Sequence, residues 1–427
     1  MKFFTLALAA MTAQGFSIAN PFKLVESYAK ATLFTPDAEL IPNHYIVVFK
    51  KGASLSTLDK HFTALHSLVA DANSFQSDES ANNVKHIYTI EGASGYSGKF
   101  QDDVIDMIRY SDDVEFVEQD SIVHTNNLEK GAPWGLARVS HKKSFSFGTF
   151  NKYLYDERGG SNVTAYVIDT GINWQHEDFQ GRASWGATIP DHDEDEDGNG
   201  HGSHCAGTVA GFKYGVSKKT RVVAVKVLRS SGSGTMSDVV KGVEWATKAA
   251  RSEAAEAQRS GRKHLGSVAN MSLGGGFSRA LNMAVNAAVD SGIHFAVAAG
   301  NDDADACDYS PASAEKAVTV GATTINDERA WFSNWGKCVD VLAPGKDITS
   351  IWRGSKKATN TISGTSMASP HVAGVLAYLL SLEEAPISPA ALKKKLIALA
   401  TKGMLSDIPS QTPNLLVFTH PPKSGFQ

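Results

Sequence analysis

Beyond about residue 160, short apolar segments rich in Val, Ala and Ile alternate with segments of helical spacing, and few architectures can absorb that alternation. Strands are expected at Thr164–Ile168, Arg221–Leu228, Val268–Met271, His294–Ala298, Ala317–Val320 and Val339–Leu342. Helices are expected at Ser237–Arg259, at Arg279–Ser291 and after Ser366. Strands that read as continuous apolar runs are buried on both faces, which implies an α/β fold with a mostly parallel sheet covered by helices on either side. In such sheets ligands bind outside the carboxyl ends of the strands. The residues that close each strand are therefore the ones to read for chemistry.

The first third of the chain has a different pattern. Met1-Lys2, the apolar Phe3–Met11 and small residues near Ser17 have the layout of a secretory signal peptide over 1–17. From His44 the order is strand (Tyr45–Phe49), helix (Ser54–Val69), strand (His86–Ile90), helix (Gln101–Arg109) and strand (Val114–Glu118), a small α+β unit over about 44–124. The polar Asp120–Lys130 reads as a linker and puts a boundary near 127, dividing the chain into 1–17, 18–127 and 128–427. The net charge of -4 over 427 residues includes no basic stripe, so nucleic acid is not an expected partner. No later segment is apolar enough to anchor in a membrane, and the expected product is a soluble monomer. Three cysteines, Cys205, Cys307 and Cys338, allow one disulfide and leave one thiol. Glu253–Lys263 reads as a solvated helix end or a surface insertion.

Three strand-end or helix-start residues carry a chemical pattern. Asp169 closes the strand Thr164–Ile168 before Thr170-Gly171, His201 begins a helix of small residues, and Ser366 stands in a small-residue turn ahead of the apolar Val372–Leu380. Singly, each reads as a cap or turn residue. Together they supply the hydroxyl, imidazole base and orienting carboxylate that nucleophilic acyl chemistry needs. A serine at a helix N-terminus also sits where backbone N–H groups favour developing negative charge.

The segments Val167-Ile168-Asp169-Thr170-Gly171, His201-Gly202-Ser203-His204-Cys205-Ala206-Gly207-Thr208 and Gly364-Thr365-Ser366-Met367-Ala368-Ser369-Pro370-His371 resemble the subtilase family of serine peptidases. The resemblance is nearest to the proteinase K-like fungal branch and its vacuolar proteinase B (cerevisin) type. The order Asp, His, Ser is that of subtilisin-type triads. The resemblance implies a subtilisin-like doubly wound sheet and an endopeptidase in which Ser366 attacks, His201 shuttles the proton and Asp169 orients the imidazole. It places an oxyanion donor at Asn301 and a substrate cleft along Gly232, Ser233, Gly234, Ser272, Leu273, Gly274, Gly275, Ala298, Ala299 and Gly300. Glycines in those stretches expose backbone for pairing with an extended chain, and small side chains imply a broad, apolar-to-aromatic preference. Ser203 departs from the family's usual Thr. The region before about 124 resembles the family's propeptide, an intramolecular inhibitor and folding assistant, with the cut expected between about Ile122 and Gly131.

Polypeptide substrates are the implied partners, and the chemistry needs no cofactor. The acidic run Asp191–Gly198 imitates an EF-hand opening, but position twelve is His204 and no helix precedes it, so a solvated acidic loop is expected. A zinc pair of His201 and Cys205 lacks partners. Resemblance instead implies a structural calcium held by Asp340 and the carbonyls of Glu315 and Ala317. It also implies a Cys307–Cys338 disulfide, leaving Cys205 as a free thiol. Asn162-Val163-Thr164 is a glycosylation acceptor ahead of a strand, whereas Asn270-Met271-Ser272 lies in a core strand. Secretion is the expected destination, with the vacuole as the alternative. A non-catalytic binder is opposed by the intact triad and Asn301. An α/β-hydrolase esterase is opposed by triad order and by Gly-Thr-Ser-Met-Ala standing where G-x-S-x-G belongs.

Overall fold

The computed structural model describes residues 29–36, 40–53, 55–74, 82–90, 93–121 and 126–421. The expected signal peptide lies outside them. The chain divides into two compact units, Met1–Val123 and His124–Gln427.

The first unit holds β1 (Thr32–Phe34), β2 (Leu40–Phe49), α1 (Leu55–Asn73), β3 (Asn83–Ile90), β4 (Ala93–Lys99), α2 (Asp102–Ile108) and β5 (Val114–Ser121). Its five strands lie in the order β1-β5-β2-β4-β3. Alternate residues Tyr45, Val47 and Phe49 of β2 point into a core shared with Leu65 and Leu68 of α1 and Val104, Ile105 and Ile108 of α2. That period of two packed against a helical stripe is the expected α+β arrangement. The Gly-containing β4, Ala-Ser-Gly-Tyr-Ser-Gly-Lys, gave no apolar signal, yet it pairs with both β2 and β3.

The second unit begins with a hairpin of β6 (Asn126–Lys130) and β7 (Lys152–Asp156), with α3 (Trp134–Val139) between them. The tail of the stretch expected as a linker is thus a paired strand. The chain continues through β8 (Val163–Asp169), β9 (Ala183–Thr188), α4 (His201–Ala210), β10 (Arg221–Lys226), α5 (Met236–Ser260), β11 (Gly266–Met271), β12 (Gly275–Gly276), α6 (Arg279–Asp290) and β13 (Ile293–Ala298). It ends with β14 (Tyr309–Ser310), β15 (Val318–Thr323), β16 (Val341–Pro344), β17 (Ile348–Ile351), β18 (Thr359–Ile362), α7 (Thr365–Ser381), α8 (Pro389–Leu399), β19 (Thr401–Lys402) and β20 (Leu415–Leu416).

Nine of these strands form one sheet, β19-β20-β16-β15-β13-β11-β8-β10-β9, parallel throughout except for β19 against β20. After β8 the chain builds β10 and β9 on one side, then crosses over through α5 to build β11 and β13 on the other. The carboxyl ends of β8 and β11 therefore flank the point where strand order reverses, the place such sheets open a crevice. Val163, Ala165 and Val167 of β8 face α4 and α7, while Tyr166 and Ile168 face α5 and α6. Both faces are covered, which is why these strands lack polar alternation. Helix α7 runs through the interior, with every residue from Met367 to Ser381 buried.

Candidate active site

Asp169 is the last residue of β8 and its side chain is fully buried. Its Oδ1 accepts the Thr170 N–H at 2.7 Å and lies 2.7 Å from Nδ1 of His201, whose side chain is about a quarter exposed. His201 starts α4 because the preceding Gly200 adopts φ 104 against the ring of Trp352, where any Cβ would collide at 2.6 Å. Burial pulls the His201 pKa down, but the Asp169 carboxylate, helped by Asp197, overrides it and leaves the imidazole above its ordinary range. A buried carboxylate on Nδ1 fixes the tautomer and turns Nε2 outward as a base.

Ser366 occupies the second position of α7. Its hydroxyl donates to the Ser272 carbonyl at 3.1 Å. Its own carbonyl accepts the Ser272 hydroxyl at 2.7 Å and the Cys205 thiol at 3.4 Å. The Cys205 Sγ, a His201 nitrogen and an Asp169 oxygen all lie within 4.8 Å of one another, so the sequence-distant Asp169, His201 and Ser366 meet around this thiol. The serine is held from behind by a buried chain: Ser369 Oγ donates to Asn270 Oδ1 at 2.8 Å, Asn270 Nδ2 to Ser272 Oγ at 2.9 Å, and Ser272 to Ser366 O. In the sequence Asn270 stood out only as part of a buried sequon and Ser369 only as part of the serine motif, neither with a role of its own. Only a polar pair inside otherwise apolar elements marks them.

Asn301 follows β13 at the other side of Ser366. Its Oδ1 accepts both the backbone N–H and the hydroxyl of Thr365, at 2.8 and 2.9 Å. A backbone N–H can only donate, so the amide orientation is fixed and its NH₂ faces the opening beside Gly364. Leu273–Gly276, Ala298–Asp302, Tyr309, Ser310, Ala312, Thr365 and Ser366 line one cavity of about 270 Å³. A larger one of about 460 Å³, sharing Leu273 and Gly274, runs past His201, Leu228, Gly232–Met236 and Leu281. All ten expected cleft residues lie on one or other of these walls.

Several polar residues are more committed than their sequence suggested. Asp197, expected in a solvated acidic loop, is buried. Its Oδ1 accepts Thr170 Oγ1, Asn199 N and Gly200 N, and its Oδ2 accepts Ser203 N and Oγ. It thereby caps α4 and ties it to the turn after Asp169, a cap that Gly200, lacking a side chain, does not supply. Asp193 lies 3.5 Å from Lys226, which is fully buried in register with Asp169 and donates to the carbonyls of Thr170 and Leu228. Glu253, expected on a solvated helix end, accepts from Thr164 Oγ1, Tyr166 OH and Arg221. The helix lies across β8 and β10, so this face of it is inward.

The oxygens expected to hold calcium have a different occupant. Lys393 Nζ donates to Asp340 Oδ2 at 2.8 Å, Ala317 O at 2.6 Å and Glu315 O at 3.1 Å. As the chain stands these three acceptors meet the Lys393 ammonium. Cys307 and Cys338 form a disulfide with Cα atoms 5.3 Å apart, and Cys205 is free and buried, which raises its thiol pKa. Asn162 is exposed at φ 62, whereas Asn270 is wholly internal. Among the described residues no helix is long and apolar enough to cross a membrane.

Comparison with known proteins gives matches over both units. Residues 160–414 match the model of the subtilase family, and residues 44–126 that of peptidase inhibitor I9. The chain is 57% identical over 431 residues to the subtilisin-like serine protease Pen c 2 of Penicillium citrinum, covering 94% of this chain and 93% of the relative. It is 54% identical over 429 residues to alkaline protease 2 of Aspergillus fumigatus, covering 94% and 86%. A solved cold adapted subtilisin-like serine proteinase superposes with a TM-score of 0.61 at 45% identity, covering 68% of this chain and 99% of that one.

Proposed function

The chain belongs to the subtilase family of serine proteases and carries an N-terminal domain of the I9 inhibitor type, and from that membership we propose how its own residues run the reaction. Ser366 Oγ attacks the scissile carbonyl while His201 Nε2 takes its proton. The imidazolium is held by Asp169, and it returns the proton to the leaving amine. Water then repeats the sequence to release the acyl group. The Asn301 amide and the Ser366 N–H receive the oxyanion, a donor such as Asn301 contributing about 3–4 kcal/mol of barrier lowering.

The observation that carries this reading is the 2.7 Å contact between His201 Nδ1 and a fully buried Asp169 carboxylate. The Ser366 hydroxyl, which rests on Ser272 in the free enzyme, turns to His201 when substrate arrives; apo hydrogen bonds of catalytic groups commonly tighten that way. Specificity is broad and leans to aliphatic and aromatic side chains, because the cavity beside Ser366 is walled by Ala298, Ala299, Ala312 and the glycines after Leu273. The enzyme enters the secretory route as a zymogen, is cut free of its propeptide by its own Ser366, and carries a glycan on Asn162. The N-terminal layout of 1–17 and the disulfide support that route.

The test is the intact mass and N-terminal sequence of the expressed chain beside Ser366→Ala, with organophosphonate labelling of both. Loss of roughly the first hundred residues and labelling only in the wild type are expected. A folded wild type that remains full-length and unlabelled would overturn the reading.

A further inference from the structure

Lys393 stands on α8, and its three ammonium protons meet three acceptors: the Asp340 carboxylate and the carbonyls of Glu315 and Ala317. The acceptors are built independently of the lysine. Asp340 Oδ2 also accepts the Thr319 N–H at 2.9 Å, and the Asp340 N–H returns a bond to Thr319 O at 2.9 Å. The two carbonyls come from the turn entering β15, which Thr319 Oγ1 ties to Ala312 O at 2.8 Å. Ala312 is a wall of the cavity beside Ser366.

An acidic oxygen and two convergent carbonyls are hard-cation ligands. With a monovalent ammonium the cluster is neutral and every acceptor is occupied; a divalent ion in place of the lysine would leave one surplus positive charge, and beside the lysine two.

We propose that Lys393 is a built-in cation standing in a divalent-metal position, and that removing it uncovers a latent calcium site made by Asp340, Glu315 O and Ala317 O. The native turn behind the substrate cavity is therefore stapled without metal at this position. Loss of the lysine makes the same turn calcium-dependent.

Thermal unfolding of the full chain, in a Ser366→Ala background that prevents autolysis, tests this without reference to activity. Lys393→Ala and Lys393→Gln are compared with the unmodified lysine in EDTA and in 10 mM calcium chloride. Each is also made with Asp340→Asn. Three protein oxygens place the site at the weak, millimolar end of calcium affinities, so 10 mM calcium should raise the melting temperature of Lys393→Ala by roughly 2–4 °C. Adding Asp340→Asn should abolish the rise, and Asp340→Asn should leave any calcium response of the lysine-bearing protein unchanged. If Lys393→Ala folds poorly, calcium in the growth medium should restore its yield, again only with Asp340 present. The proposal fails if both lysine variants respond to calcium no more than the parent does. It also fails if Asp340→Asn removes a calcium response from the lysine-bearing protein, because calcium would then bind there natively.

Discussion

Replacing Asp197 by Asn changes one atom in a residue that touches no substrate, and it should be felt twice. The carboxylate receives five donors, two of them from Ser203 on Oδ2. With the amide oxygen kept on the side of Thr170, Asn199 and Gly200, the new NH₂ faces the Ser203 N–H. That buried donor loses its acceptor at a cost of about 1–3 kcal/mol. Loss of the negative charge at the start of α4 adds about 0.3–1 kcal/mol. Together about 3 kcal/mol is expected, or a fall in melting temperature of roughly 4–6 °C for the unit His124–Gln427. The second effect is electrostatic. Asp197 helps hold the His201 pKa above its ordinary value, so Asp197→Asn lowers it, and the acid limb of the kcat/KM profile moves to lower pH. The sign extends to stability. A raised His pKa contributes stability below the unfolded value of about 6.5 that is lost as pH rises through the folded one, so the variant should lose more at pH 5.5 than at pH 9. Calorimetry and a pH–rate profile on a small amide substrate measure both. A melting point within 2 °C of wild type, or a limb that stays put or moves upward, would refute the argument.

Asn301→Ala should lower kcat by about 10²–10³-fold with KM little changed, since the amide serves charge that develops only in the transition state; a loss confined to KM would contradict that. Lys226→Met strands the Asp193 carboxylate and should cost about 3–5 kcal/mol in urea unfolding. Asp193→Asn added to it should recover more than half, and no recovery would show the ion pair to be incidental. The active enzyme should begin between residues 122 and 126. Asn126–Lys130 pairs with β7 and Glu129 is ion-paired to Lys218 at 2.7 Å. An N-terminus beyond Lys130 would sink this.

The sheet strands of the second unit were legible because both of their faces are buried and their sequences say so continuously. Boundaries slipped by a residue or two where polar ends still pair, as at Asp169, whose backbone closes β8 while its side chain turns to His201. Strand β4 was not legible: with two glycines and two serines in seven residues, it is a strand because β2 and β3 flank it. Asp169, His201, Ser366 and Asn301 stood out as candidates because their motifs resemble those of a known family, and the structure brings Asp169 and His201 into contact and sets Asn301 beside Thr365. Asp197, Lys226 and Glu253 escaped because a charged side chain looks solvated until its partners, up to 89 positions away, are known; Asn270 was placed in a core strand, but its partner Ser369 lies 99 positions on. Lys393 is the sharpest instance. Its three acceptors were named only through the family resemblance, and nothing local in a Lys-Lys-Lys run singles out the one whose ammonium reaches them.

Helix α7, buried from Met367 to Ser381, carries Ser366, the proposed nucleophile, on its first turn. Its amides should therefore be among the last in the molecule to exchange with solvent deuterium, opening only when the whole unit opens. Local fraying of the surface loops cannot displace Ser366 while that helix stays shut. Heat inactivation of the mature enzyme should follow global unfolding as a single event, with no long-lived species that is folded but silent.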